Sequence, residues 1–295
     1  VLFESLGKDM VVRIARILIP GYDIHERSGI PENIPITVQT AAEQIVRDVI
    51  ETGRFLQLIE FLIVMDSGGY MGREYPLLHL GELVKAIQAE GYRYDRATGL
   101  FMEDSKDKVS VNWGRLADGE ERQFALLRLD IVQNSILVKE NEKVRIEAAY
   151  AELRGIVSRA VVSRMGRVWL WEGDGCLCGF LFGKKERSAI LAGMEILHEL
   201  YFFNRLLNPL SAPLKVRVAA HGGPLRYIAD PDALKKAETI REVTDMEARY
   251  TAADSLCVSA NLFLSMDRVI QDRFRPERAQ GGMKLRHYAI EVEQA

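Results

Sequence analysis

Two aspartates, each closing an apolar run, are the residues best placed for chemistry in this 295-residue chain. Asp130 ends Phe124-Ala-Leu-Leu-Arg-Leu-Asp130, and Asp174 follows Val168-Trp-Leu-Trp-Glu-Gly. A carboxylate at a strand end stands half-solvated at the rim of a sheet, where its hard oxygens suit magnesium or manganese. The two positions lie 44 residues apart with a helix-like stretch between them. That arrangement predicts a two-metal site acting on the phosphates of a nucleoside triphosphate. The competing reading is a strand cap and a turn residue, because aspartate is common in turns.

The elements that must position this pair follow from periodicity. After a polar stretch, a strand is predicted over Phe124–Ile131 and a long helix from about Leu137 to Met165. Strands Arg167–Glu172 and Cys176–Phe182 are joined at Gly173-Asp174-Gly175 as a tight hairpin. A helix over about Arg187–Leu207 and a strand over Leu214–Ala220 come next, and His221-Gly-Gly-Pro224 then turns the chain. A helix over Met246–Ala253, a short strand at Leu256–Ser259 and a last strand over Leu285–Val292 close the pattern. The opening order β-α-β-β-α-β predicts an α+β, ferredoxin-like (split βαβ) domain, in which the first strand lies beside the hairpin and Asp130 can approach Asp174.

Residues 1–110 read as a smaller, mostly helical N-terminal domain, 111–123 as a linker and 124–295 as the second domain. In the first domain Thr40–Ile50 sets Ile45, Val46, Val49 and Ile50 on one helical face. Helices are also predicted over Phe55–Val64 and Leu80–Ala89, and a hairpin over Tyr92–Phe101 with Gly99 at its turn. No catalytic cluster appears there, so an interaction or sensor module that binds a protein partner is expected.

Composition excludes several classes. A net charge of −3 gives no electrostatic footprint for nucleic acid. The longest apolar runs, such as Phe61–Met65, are too short to cross a bilayer, and the start has no signal-peptide pattern. Cys176, Cys178 and Cys257 sit in apolar runs and read as reduced, buried thiols of a cytoplasmic protein. The five histidines have no metal-ligand spacing, and His198 reads as packed within its helix. Trp169 and Trp171 alternate on a strand and are expected to share a face. No Walker loop or nucleophile elbow is present.

Four stretches, two of them holding Asp130 and Asp174, resemble in order and spacing the catalytic domain of class III nucleotidyl cyclases, the adenylate and guanylate cyclases. Asp130-Ile-Val-Gln-Asn-Ser135 resembles the family's Asp-Ile-x-Gly-Phe-Thr, and Gly173-Asp174 its Gly-Asp hairpin. Val218-Ala-Ala-His221-Gly resembles Gly-Ile-His-x-Gly, and Thr244-Asp245-Met-Glu-Ala-Arg249 resembles Val-Asn-x-Ala-x-Arg. The resemblance implies conversion of a ribonucleoside triphosphate to a 3′,5′-cyclic nucleotide and pyrophosphate for second-messenger signalling. It implies two Mg²⁺ or Mn²⁺ ions per site on Asp130, Asp174 and the Ile131 carbonyl. It also implies phosphate contacts from Val132, Gln133, Asn134 and Ser135, a ribose contact at Asp245, and transition-state stabilisation by Arg249. Head-to-tail homodimers are implied, with Asp130 and Asp174 of one protomer meeting Arg249 of the other.

The departures from the family pattern matter as much. Gln133-Asn134-Ser135 replaces Gly-Phe-Thr, and Asp245 replaces the ribose-holding Asn. The two base-reading positions align with Leu170 and Glu238, and the triphosphate lysine with Arg278 or Lys284. Leucine cannot hydrogen-bond a base edge, which fits the branch of bacterial pyrimidine cyclases that signal phage infection. The alternative is a cyclase fold that has lost catalysis and serves as a nucleotide sensor, dimerisation module or adaptor.

Overall fold

The computed structural model describes residues 1–104, 109–276, 278–280 and 282–290, with the side chains of 278–280 excepted. The chain forms two compact units, Val1–Lys108 and Val109–Ala295.

In the first unit, helices α1 (Leu2–Ser5), α2 (Lys8–Leu18), α3 (Ile24–Ser28), α4 (Val38–Glu51), α5 (Phe55–Gly68) and α6 (Leu80–Ala89) precede a hairpin of β1 (Tyr92–Asp95) and β2 (Leu100–Glu103). Helix α2 buries Val11, Ile14, Ala15 and Leu18, one face at helical spacing. Helix α4 is capped by Thr37, whose hydroxyl accepts from the Thr40 amide, and it buries Ile45 and Val49. Ile50, expected on the same face, is exposed. Asp48 is buried on α4 because the Tyr22 hydroxyl donates to it at 2.6 Å and the Gln44 amide at 3.0 Å. The charged Asp23–Arg27 stretch is a short helix, with the Asp23 carboxylate accepting from the His25 and Glu26 amides.

In the second unit the elements are β3 (Glu121–Ile131), α7 (Asn134–Glu140), α8 (Lys143–Val162), β4 (Arg167–Glu172), β5 (Gly175–Phe180), α9 (Lys185–Leu206), β6 (Val216–Arg226), α10 (Pro231–Leu234) and α11 (Glu238–Asp245). After a π-helical turn, Met246–Tyr250, come β7 (Ser255–Ser259), α12 (Ala260–Leu264), α13 (Arg268–Gln271), β8 (Arg278–Gln280) and β9 (Met283–Ala289). The sheet order is β4-β5-β3-β6-β7-β9-β8. Its first four strands have the split βαβ order, so the unit is α+β and ferredoxin-like. One face of β3 (Ala125, Leu127, Leu129, Ile131) joins Ile156, Val157, Ile190 and Ile196 in the main core. Each such aliphatic side chain contributes about 1.5–3 kcal/mol on full burial. The other face of β3 carries Arg128 and Asp130.

Four local expectations are corrected. The helix expected over Leu137–Met165 is two helices, because the Asn141 side chain donates to the Leu137 carbonyl and accepts from the Ser211 amide, closing α7. His221-Gly-Gly-Pro224 does not turn the chain. It continues β6, with Gly223 opposite Phe124 and Pro224 opposite Gln123. The stretch Met246–Ala253, expected as a helix, is the π turn Met246–Tyr250 followed by non-helical residues, and the α-helix proper, α11, lies ahead of it. Trp169 and Trp171 lie on opposite faces, because β4 is irregular between Val168 and Leu170. Trp169 packs on Phe124, Trp113 and Tyr227, while Trp171 packs on the main core. Within the stretch expected to be a linker, Trp113 and Leu116 are buried and β3 already begins at Glu121. The expected end of the last strand, at Val292, lies outside the described residues.

Candidate functional site

Asp130 is the penultimate residue of β3, directly opposite Arg217 on β6. Arg217 Nη2 lies 2.5 Å from Asp130 Oδ2, and Arg217 Nε lies 2.7 Å from Glu247 Oε1. Glu247 comes from the π turn, and its side chain is only 4% exposed. Burial raises its carboxyl above the usual range, Asp130 adds to the rise, and the Arg217 guanidinium opposes it. The Ile131 side chain is in the core, which leaves only its backbone for any ligand.

Asp174 is the second residue of the two-residue turn between Glu172 and Gly175, with Gly173 at φ +57°. Its carboxylate makes no hydrogen bond or ion pair among the described residues. It lies close enough to Tyr150 to raise that phenol, whose pKa is lifted first by burial. The Tyr150 hydroxyl, on α8, donates to the Asn134 side chain and so ties α8 to the start of α7.

Gly175, the chain neighbour of Asp174, lets the hairpin approach Asp130 closely. A Cβ there would lie 3.0 Å from the Leu129 carbonyl oxygen, 3.2 Å from Arg128 Nη2 and 3.3 Å from Asp130 Oδ1. Asp174 is one peptide away, about 3.8 Å between Cα atoms. Oδ1 of Asp130 and the Asp174 carboxylate make no hydrogen bond among the described residues, and both are hard oxygens of the kind that magnesium takes. Magnesium is commonly held by one or two carboxylates, with water and substrate phosphates completing its shell. The donor set fits on that count. No group of three or more metal-ligating side chains occurs among the described residues.

Of the residues expected to contact phosphates, Val132 is corrected: its amide already donates to the Lys215 carbonyl at 2.9 Å, extending the sheet. Gln133 precedes α7 at φ +56°, the left-handed region, at the position where the family motif has Gly. Glycine adopts that region without strain, whereas other residues lose roughly 1–2 kcal/mol. Asn134 and Ser135 begin α7. Arg278 falls in β8, and its side chain lies outside the described residues. Lys284 is exposed on β9, which β6 and β7 separate from β3, so the chain does not bring it to Asp130.

Leu170, Glu238 and Asp245 share one cleft of about 450 Å³, with Arg128, Glu172, Leu177, Lys235 and Ile240 also in its lining. Leu170 reaches it because of the irregularity in β4, which shifts the alternation by one residue. Lys235 pairs with Glu172 and Arg128 lies 4.0 Å from Glu172, so the polar side of the cleft is a charge network. Arg249 is outside the lining. It stands exposed on the π turn, 3.4 Å from Asp245.

Sequence reasoning missed Arg217, Glu247 and Arg128. The alternation in Leu214–Ala220 marks a strand but not the partner of Arg217, which strand register sets. His221, within the third motif, is buried, and its Nε2 lies 2.9 Å from Glu242 of α11. His198 is held by Tyr288, 2.6 Å from its hydroxyl. No helix among the described residues is long and apolar enough to cross a membrane.

No family model matches the chain, and no curated protein matches it. Solved structures do. The adenylate/guanylate cyclase/hydrolase from Silicibacter pomeroyi is 18% identical, with 58% of this chain and 99% of that one covered at a TM-score of 0.48. The guanylate cyclase domain of RhGC from Catenaria anguillulae, in complex with GTP, is 14% identical, covering 57% and 96% at 0.47. The guanylyl cyclase domain of the RhoGC fusion protein from Blastocladiella emersonii is 12% identical, covering 58% and 97% at 0.49.

Proposed function

We propose that the second unit is a nucleotidyl cyclase domain of the class III type, acting on a ribonucleoside triphosphate. The 3′-oxygen attacks the α-phosphorus, its proton leaves to solvent, the bond from that phosphorus to the bridging oxygen breaks, and pyrophosphate departs. Asp130 Oδ1 and Asp174 would hold Mg²⁺ or Mn²⁺. The bound cation supplies Lewis-acid activation of the hydroxyl and neutralises phosphate charge. Gln133, Asn134 and Ser135 would face phosphate oxygens, Asp245 would accept from a ribose hydroxyl, and Arg249 would stabilise charge on the transferring phosphorus.

The single observation that carries this reading is the cleft shared by Leu170, Glu238 and Asp245. Three positions separated by up to 75 residues, each matched to a nucleotide contact by motif alone, line one space. Its apolar lining, Leu170, Leu177 and Ile240, suits the face of a base, and a leucine at position 170 favours a pyrimidine over a purine. The Asp130–Arg217 pair favours one other reading, nucleotide binding without turnover.

The cleft and Arg249 of one protomer would complete the carboxylates of another in a head-to-tail homodimer. Mixing Asp174→Ala with Arg249→Ala protein tests this. Each variant alone is expected to be inactive, and the mixture to regain about a quarter of wild-type activity on random pairing. An inactive mixture, with active wild type as control, counts against shared sites. Nucleotide binding with no cyclic product from wild type selects the non-catalytic reading.

A further inference from the structure

We propose that Arg217 is a built-in cation of this site, standing where a second metal ion would bind Asp130, so that each protomer takes one divalent cation rather than two. The inference rests on the reading of Asp130 and Asp174 as cation ligands.

Asp130 and Arg217 are direct cross-strand partners, and a slip of one residue between β3 and β6 would turn the core face of β3 to the other side. Sheet register thus fixes the pair. The guanidinium lies between two carboxylates: Nη2 donates to Asp130 at 2.5 Å, and Glu247 Oε1 lies 2.7 Å from Nε as an ion pair. A planar, permanently charged group held this way is preorganised, unlike a solvated surface arginine. Arg128 adds a second positive charge on the same face, its Nη2 beside the Gly175 space.

The two oxygens of Asp130 are therefore unequal. Oδ2 faces Arg217, whereas Oδ1 faces Gly175, the chain neighbour of Asp174, whose carboxylate is unpaired among the described residues. One hard cation can use Oδ1 together with Asp174. A second would have to displace the guanidinium and break its ion pair with the buried Glu247. In the reaction, the guanidinium would supply fixed positive charge beside the α-phosphate.

Titrating Mn²⁺ alone into the full chain, with free Mn²⁺ read by electron paramagnetic resonance, tests this. The wild type is expected to bind close to one ion per protomer, with that ion lost in Asp174→Asn. Arg217→Gln is expected to bind close to two. A double variant, Arg217→Met with Glu247→Gln, removes the carboxylate that the single change strands and gives the same readout if the single variant does not fold. Two ions in the wild type, or one in a folded variant, overturn Arg217 as a stand-in and leave the proposed reaction intact. No ion bound by the wild type overturns both. The wild-type count decides by itself if neither variant folds.

Discussion

The indole of Trp169 covers Gly179 so closely that a Cβ on that glycine would lie 2.3 Å from the ring. Trp169 stands on the cleft side of the sheet, and the irregularity in β4 after Val168 brings Leu170 to that same side. Gly179→Ala is expected to destabilise the protein by about 1–3 kcal/mol through overpacking. It should also weaken nucleotide binding as Leu170 moves. Thermal denaturation and nucleotide titration check the two effects, and a loss of stability with unchanged affinity would separate the irregularity from the site.

Among the described residues Asp174 has no hydrogen-bond or ion-pair partner to lose. Asp174→Asn should leave the melting temperature within the range of a surface change, about 0.5 kcal/mol. Turnover should fall more than about 100-fold, equivalent to roughly 2.7 kcal/mol of barrier. Steady-state kinetics beside a thermal melt checks this, and full activity in the variant would remove the residue from the site.

Arg249 makes a similar separation. It is exposed, and its pairing with Asp245 is worth only about 0.3–0.5 kcal/mol. Arg249→Ala should therefore fold normally, yet lose about 100- to 1000-fold in kcat if it stabilises transition-state charge. A change confined to KM would assign it to ground-state binding instead.

Gln133 holds a left-handed backbone at φ +56°. Gln133→Gly should relieve part of that strain and raise stability by about 0.5–1 kcal/mol, after allowance for the greater freedom of glycine in the unfolded chain. Chemical denaturation of the two proteins measures it, and a less stable variant would mean that the glutamine side chain contributes more than the strain takes away.

His221 gives a pH dependence. Burial lowers its pKa below the ordinary imidazole value of 6.5, with Glu242 opposing the shift. The unfolded chain then takes up its proton first as pH falls, so this stabilising contribution is full above pH 6.5 and is lost as pH drops through the folded-state value. His221→Gln should flatten the stability curve across that window. Denaturant melts at a series of pH values check it, and an unchanged slope would assign the dependence to other groups.

How much of this was legible in the sequence depends on whether the signal was local. Helix α6 was read at its observed bounds from apolar spacing, and Gly173-Asp174 was read as a tight hairpin from turn chemistry. The split βαβ order followed from the succession of elements. The irregularity in β4 was not legible, because Val168-Trp-Leu-Trp171 is apolar at every position and so carries no alternation that would show a shift. Nor was the break at Asn141, where one amide side chain bonds to backbone on both sides. The glycines of β6 suggested a turn. Instead they admit close neighbours: a Cβ on Gly222 would lie 2.3 Å from Leu262 Cδ1. The Arg217 contacts join residues 30 and 87 positions apart, which no local pattern encodes.

The central claim is catalysis, and product formation tests it most directly. The full chain would be incubated with each of the four ribonucleoside triphosphates in turn, with Mg²⁺ or Mn²⁺, and the products identified by mass. The expected result is a 3′,5′-cyclic monophosphate and pyrophosphate, formed fastest from a pyrimidine nucleotide and abolished in Asp174→Asn. Folded wild-type protein that makes no cyclic nucleotide from any of the four would contradict it.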